Sequence, residues 1–371
     1  MNNSVIDLFS GIGGLSLGIV RAGFRLALSV DNDRIPMRVH ELNFPGCAHR
    51  LGDIASMTGG DLLQDAGVVK GELAGLVGGP PCQGFSHIGK RNKADVRNSL
   101  FGHFFRLVSE TKPAFYLAEN VLGILDPHNA ELVQEALRYV DASYTMLDPI
   151  ILNAADFGAP TNRRRVLFIG FDPRRMNAVT HIDVEQARWT KRTTVGIALH
   201  GLPHRLGNGW TTDENAWRPV RVKKKGRFWQ KIRADRPDGV GDEETLRKYT
   251  NDRLVSGCIT TVHTEAVKLR FSKIPAGKVD EVSRAIRLNR AGLCPTLRAG
   301  TGPDRGSFQA LRPIHYSQPR MITPREAARL QGFPDWFRFD FTKWHAFRGI
   351  GNSVSPLLGE AVLSVLRSKL R

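Results

Sequence analysis

Cys82 stands in the string Gly78-Gly79-Pro80-Pro81-Cys82-Gln83-Gly84-Phe85-Ser86, directly behind two prolines. Two fixed φ angles and two missing N–H donors stiffen that backbone and keep it out of a strand interior. A lone cysteine is more often a small buried hydrophobe than a nucleophile. Here glycine and proline on one side, and the polar, basic stretch from Gln83 to Arg97 on the other, favour an exposed, reactive thiol. An ordinary thiol, with a pKa of about 8.5, is only slightly ionised at neutral pH, so a nucleophilic role needs cations nearby. The run Thr161-Asn162-Arg163-Arg164-Arg165 offers them, and it leads into the apolar segment Val166 to Phe171. Strand alternation would send Arg163 and Arg165 to one side, for ion pairing or for a base and its phosphate; a surface cluster is the plainer alternative. Glu119 follows another apolar run, Phe115 to Ala118. A carboxylate at a strand end would point into the same crevice as Cys82, although most single glutamates are exposed loop residues. A last group is the turn Asp7-Leu8-Phe9-Ser10-Gly11-Ile12-Gly13-Gly14 after a short apolar run. Glycines there let backbone approach a ligand beside a helix N-terminus. Ser16 stands where the full dinucleotide pattern has its third glycine. Asp31, one strand later, is placed for ribose hydroxyls, and Asp53 for an adenine amino group.

Strands alternating with helices must hold these groups. Val5–Phe9, Leu26–Val30, Gly75–Val77, Phe115–Ala118 and Val166–Phe171 read as strands, with Leu15–Ala22 and Leu100–Glu110 as helices. That rhythm implies a mostly parallel sheet covered on both faces, with ligands at the carboxyl ends of the strands. From about Asp172 the rhythm fails, and glycine, proline and charge dominate. Pro324–Gln331 and an amphipathic Ser355–Leu370 then read as helices.

The chain has 371 residues, long enough for two unequal lobes. Its net charge of +17 is concentrated. Phe171 to Gln318 holds 28 Lys and Arg against 15 Asp and Glu, while the remainder holds 25 against 21. A basic segment of that size suits a phosphate backbone. Within it Val220 to Arg233 (VRVKKKGRFWQKIR) mixes cations with aromatics; a solvated basic face is the alternative. The four cysteines, Cys47, Cys82, Cys258 and Cys294, contain no C-x-x-C, which argues against structural zinc and a disulfide framework. No apolar run reaches membrane length, and the start lacks a secretion signal, so a cytoplasmic location is expected.

Taken together, DLFSGIGG, GGPPCQGFS, ENV, NRRRV, RMITPREAARLQGFPD and GNSV occur in the order of the motifs of the cytosine-5 DNA methyltransferases, spanning Asp7 to Val354. The chain resembles that family. The resemblance implies a class I S-adenosylmethionine-dependent methyltransferase fold: α/β, Rossmann-like, with a mostly parallel sheet and a smaller irregular target recognition domain. It places the catalytic domain at residues 1–175, completed by 347–371, and the recognition domain at 176–346. By similarity Phe9, Gly11, Gly13 and Leu15 line the S-adenosylmethionine pocket. Asp31 holds the ribose, Asp53 and Ile54 the adenine; Pro80 and Leu100 border the pocket, and Asn352, Ser353 and Val354 close it. Cys82 resembles the nucleophile, Glu119 the acid partner of the ring, and Arg165 a contact to the flipped base, supported by Arg163. Gln83 to Arg97 resembles a loop that closes over DNA, with Ser86 and Arg97 touching it, and Thr296-Leu297 resembles a base-recognition pair.

The implied activity is methyl transfer to carbon 5 of cytosine in a specific double-stranded DNA sequence, without a metal. The resemblance further implies a compact, monomeric, prokaryotic-type enzyme, the protective partner of a restriction endonuclease, nucleoid-associated through DNA. Two positions depart from the family pattern: Thr161 replaces a frequent Gln, and Asn32 replaces an aromatic that stacks on adenine. A tRNA cytosine-5 methyltransferase on the same fold is the alternative; that subgroup carries Cys-Phe-Thr where this chain has only Cys258-Ile-Thr.

Overall fold

The computed structural model describes residues 3–81, 100–207, 209–212, 214, 216–221, 224–298, 312–340 and 342–371. The first lobe runs β1 (Ser4–Leu8), α1 (Gly14–Arg21), β2 (Arg25–Asp31), α2 (Arg34–Asn43), β3 (Ala48–Leu51), α3 (Gly59–Ala66), β4 (Gly75–Gly78), α4 (Leu100–Thr111), β5 (Phe115–Asn120) and α5 (Ala130–Leu137). It closes with β6 (Thr145–Met146), β7 (Ile150–Asn153), β8 (Thr161–Asn162) and β9 (Arg164–Phe171). The main sheet has the order β3-β2-β1-β4-β5-β9-β6, with β7 also on β9. The order reverses between β1 and β4, and open α/β sheets bind ligands outside the strand ends at such a switch point.

The strands are buried on both faces, so alternate residues feed different cores. Val5, Val77, Leu117 and Leu167 belong to one apolar cluster, while Ile6, Leu76, Tyr116 and Phe168 belong to the other. The second cluster is rich in rings from α4: Phe101 and Phe105 meet Phe168 at centroid separations of 5.3 and 6.5 Å.

The first five strands are parallel, but β9 runs antiparallel to β5, and β6 and β7 run antiparallel to β9. Between β7 and β9 the chain has no room for a crossover helix, so it turns back as a hairpin. This reversal has a direct consequence. The start of β9, with its arginines, lies beside the carboxyl end of β5, where Asn120 pairs with Val166 and Glu119 with Leu167.

The second region is a set of short elements: α6 (His181–Gln186), α7 (Val195–Ala198), β10 (Arg218–Pro219), α8 (Arg227–Arg233), α9 (Glu243–Asp252), β11 (Leu254–Val255), α10 (Glu265–Lys273), β12 (Cys294–Pro295) and α11 (Pro324–Gln331). Helices α12 (Lys343–Asn352) and α13 (Pro356–Lys369) return the chain to the first lobe, where α13 packs on α1. Residues 343–369 are together long and apolar enough for a membrane span by composition, longer than the sequence reading allowed. They are instead two helices, interrupted at 353–355 and largely buried.

Buried arginines join the irregular region to α11. Arg325 donates to the carbonyls of Ser256, Pro334 and Phe337. Arg329 forks onto Asp335 at 2.6 and 2.7 Å and also donates to Ala198 O and His200 O. Arg320 forks onto Glu326, whose carboxylate also completes a capping box with Thr323. The Arg320 guanidinium beside Glu326 holds that carboxyl down, to about 2, against the opposing effect of its burial. The larger apolar cluster continues from α1 and α13 through Trp229, Cys258 and Trp336.

Candidate active site

A cavity of about 460 Å³ opens at the carboxyl ends of β1, β2, β4 and β5. Its floor is the turn after β1. Phe9 there takes a left-handed φ of 59°, and Gly13 caps α1 at φ 94°, where a Cβ would collide with the Phe44 ring. At Gly14 a side chain would collide with the Val354 carbonyl, so glycine is what lets residues 352–354 fold over the turn. Gln331 fixes that segment by donating to Ser353 O at 2.7 Å. Asp31 braces the opposite wall. Its two oxygens accept from the Gly11 and Asp33 backbone N–H groups at 2.8 and 2.9 Å, and burial pushes its pKa up. Arg348 reaches across to Asp33 at 2.8 Å.

At the inner end of this cavity the chemical groups converge. Glu119, 7% exposed, pairs with Arg165 Nε at 2.7 Å. Arg163 is 2% exposed, and its Nε and Nη1 have no hydrogen-bond partner. Burial, and then the like charge of Arg165, pull its pKa down to about 9. Gly79 lies within 3.3 Å of Glu119 Oε2, measured from where a Cβ would stand, and Asn120 donates to Pro80 O at 3.2 Å. The Pro80-Pro81 segment that leads to Cys82 is therefore tied to the end of β5, at the carboxylate.

Of the residues expected to hold the cofactor, Phe9, Gly11, Leu15, Asp31, Pro80, Leu100, Asn352, Ser353 and Val354 line this cavity, together with Glu119, Arg163 and Arg165. Three lie off its wall. Gly13 caps α1. Asp53 is exposed beyond the end of β3 and accepts from Ala55 N. Ile54 is buried in the second cluster. Thr296 donates to Asn162 O at 2.7 Å, and Leu297 is buried in the larger core, so this pair bonds the two regions together. Thr161 likewise donates to Cys294 O, across the β8–β12 pairing. Cys82, Ser86 and Arg97 lie outside the described residues. The other three cysteines are buried and free. Burial drives their thiols up, to about 12 for Cys47 and Cys258 and higher for Cys294.

Sequence reasoning passed over Asp7 and Arg348, which also line the cavity. Asp7 is 1% exposed, and burial pushes its pKa up to about 7. One oxygen accepts from Ser16 Oγ at 2.5 Å and the other has no partner. Its place in the glycine-rich motif was visible, but a carboxylate inside an apolar strand run reads only as an interruption. Among the described residues no cluster of three metal-ligating side chains occurs.

Residues 3–368 match the family model of the C-5 cytosine-specific DNA methylases. The chain is 41% identical over 370 residues to the Type II methyltransferase M.XorII of Xanthomonas oryzae pv. oryzae, covering 99% of this chain and 85% of the relative. It is 30% identical to M.DdeI of Desulfomicrobium norvegicum, covering 97% and 87%. Among solved structures, a prophage-encoded DNA modification methyltransferase from E. coli superposes with a TM-score of 0.86 at 41% identity, over 99% of both chains. The Dnmt2 methyltransferase of S. pombe shares the fold, with a TM-score of 0.60 at 18% identity over 98% of both chains.

Proposed function

The chain belongs to the C-5 cytosine-specific DNA methylase family and is a DNA cytosine-5 methyltransferase, and from that premise we propose that Cys82 is its nucleophile and Glu119, Arg163 and Arg165 its supporting charges. The observation that carries the assignment is the convergence of Glu119, Arg163 and Arg165 in one cavity with the Pro80-Pro81 segment. Elimination supports Cys82: each other cysteine is a buried thiol that burial keeps protonated.

The Cys82 sulfur, as thiolate, bonds to carbon 6 of an extruded cytosine, and the electron pair of the 5,6 double bond shifts onto carbon 5 and, through carbon 4, toward ring nitrogen 3. A proton shared between the Glu119 carboxyl and ring nitrogen 3 balances the charge that builds there. Arg165 fixes the orientation of Glu119 through its ion pair. The resemblance makes Arg165 the contact to the base and Arg163 its support; because two buried Arg163 nitrogens are unpartnered, we assign Arg163 a share of that contact, at a polar edge of the base. S-adenosylmethionine, the donor that the family implies, supplies an electrophilic methyl group on a sulfonium. Transfer to carbon 5 would break the sulfur–methyl bond and leave the donor as a neutral thioether; loss of the carbon-5 hydrogen as a proton to solvent then restores the double bond and expels the Cys82 sulfur as thiolate.

The cavity fits such a donor. It is lined by the carboxylates of Asp7, Asp31 and Asp33, and one Asp7 oxygen is buried without a partner, a setting that favours a cationic ligand. Phe9, Gly11, Leu15, Asp31, Pro80, Leu100 and Asn352 to Val354 would hold it. The base must leave the duplex to reach Glu119, at a cost of a few kcal/mol. We assign residues 176–346 to recognition and 1–175 with 347–371 to catalysis. By likeness to the Type II enzymes we assign this protein the protective role beside a restriction endonuclease. Sequencing 5-methylcytosine in DNA from cells expressing the protein tests the reading: methylation at one short sequence supports it, and unmodified DNA contradicts it.

A further inference from the structure

A second and larger cavity, of about 1040 Å³, lies in the irregular region and shares no lining residue with the first. Its walls come from residues 189–200, 224–229 and 289–291. Six of its side chains are cationic, namely Lys191, Arg192, Lys224, Lys225, Arg227 and Arg290, and no Asp or Glu lines it. Arg192 is answered by Asp156 at 2.7 Å. Arg227 lies 4.5 Å over the Trp189 ring. Lys191, Lys224, Lys225 and Arg290 are exposed and have no carboxylate partner among the described residues. The cations reinforce one another: burial first, and then Lys224, Arg329, His204 and Arg290, hold the His200 imidazole below its ordinary pKa.

The cationic surface extends further. A neighbouring cavity of about 520 Å³ shares residues 224–227 and Trp229 with this trough, adds Arg233 and Arg253, and again contains no acid. The floor is apolar, with Ile197 43% exposed beside Phe228 and Trp229. Trp189 anchors the trough to the first lobe. Its ring lies against Gly158, and with Arg227 it borders the outer side of α13 along Leu357 to Ser368. The trough therefore flanks α13, whereas the catalytic cavity opens at the segment preceding that helix.

Unanswered cations are costly to leave facing one another. A polyanion relieves that repulsion and releases its own condensed counterions. An apolar floor adds contact area for sugars and base edges. We propose that this trough binds the phosphate backbone of substrate DNA at a second position, outside the catalytic cleft, so that the enzyme holds DNA flanking its target. The proposal rests on DNA being the substrate and needs none of the catalytic assignments made above. Contact there would serve retention on long DNA, and would leave the chemistry of the target base to the first cavity.

The test is equilibrium binding, without methyl transfer, of the wild type and a Lys224→Gln/Lys225→Gln/Arg290→Gln variant to two duplexes. One is a target-bearing duplex of about 12 base pairs; the other is the same target centred in about 40. For the long duplex the variant should lose at least tenfold in affinity, and the slope of log K against log salt should become shallower by about 3, near 0.9 for each phosphate no longer neutralised. Affinity for the short duplex should stay within twofold, and Arg290→Lys alone should bind both as the wild type does. Equal losses on both lengths would overturn the proposal by placing these residues at the target cleft. No loss on either would overturn it by showing that the trough holds no DNA. Failure of Cys82 to act as nucleophile would leave all these binding outcomes readable.

Discussion

The two regions share one apolar core but differ in what is added to it. In the first lobe, apolar side chains alternate along buried strands and meet the rings of α4. In the second, buried guanidinium groups bond to carbonyl oxygens and carboxylates that no strand or helix would satisfy. An irregular chain leaves many backbone acceptors unpaired, and burying them is costly unless donors are supplied. Arginine supplies five in a rigid fork. Both regions bury apolar side chains; the first arranges them periodically along strands, and the second adds polar stitching at particular points.

The largest effect that separates the two modes should come from Asp335→Ala. It strands the Arg329 charge, which is wholly buried with its partner, and should cost about 3–5 kcal/mol in urea unfolding. Replacing both partners by apolar residues of similar size should recover much of that loss. Phe105→Ala should cost a similar 3–5 kcal/mol. A second truncation at Phe168 should deepen the loss, because a cavity cannot be repaired by removing its neighbour. If the Arg329–Asp335 double variant is no better than Asp335→Ala, the comparison fails.

The candidate active-site cavity lies between the turn after β1 and the 352–354 segment, which Gln331 of α11 holds in place. Glu119→Gln should keep the fold and lower the methyl-transfer rate by roughly 10²–10⁴, measured in single turnovers at saturating donor and DNA. An unchanged rate would remove Glu119 from the chemistry.

A smaller effect concerns pH. Burial raises the Asp7 pKa from 3.8 to about 7, so the folded chain keeps a proton that the unfolded chain has already released. Stability from this group is complete below about pH 4 and declines as pH rises toward 7, by up to about 1.4 kcal/mol per pH unit. Asp31 is shifted in the same direction. Asp7→Asn should flatten that part of the stability–pH curve, and an identical curve would contradict the burial argument. The smallest effect belongs to the exposed pair Lys268–Glu265 on α10, where Lys268→Ala should change stability by less than about 0.5 kcal/mol.

This contrast also explains what could be read from the sequence. The strand runs Val5–Phe9, Leu26–Val30 and Phe115–Ala118 correspond to β1, β2 and β5 within a residue or two, because burial on both faces leaves a mostly apolar run, broken only by Asp7 and Ser29. The run from Val166 was legible as a strand, but its antiparallel direction was not, since direction depends on connection length and hairpin geometry. Glu119, Arg163 and Arg165 could be singled out one at a time; their convergence follows from that direction. Asp53 and Ile54 lie off the cavity wall because β3 ends at Leu51, short of them. The stitching by Arg325 and Arg329 had no periodic signal at all. Its partners lie on backbone up to 131 residues away.

The central claim is that one sulfur opens the cytosine ring to methylation at carbon 5. Nucleoside analysis of duplex DNA, after incubation with the isotopically labelled donor and either the wild type or Cys82→Ser, tests it most directly. The account requires label in 5-methylcytosine with the wild type and background label with the variant, both proteins unfolding at the same urea concentration. Label on the exocyclic amine, or a variant as fast as the wild type, would contradict it.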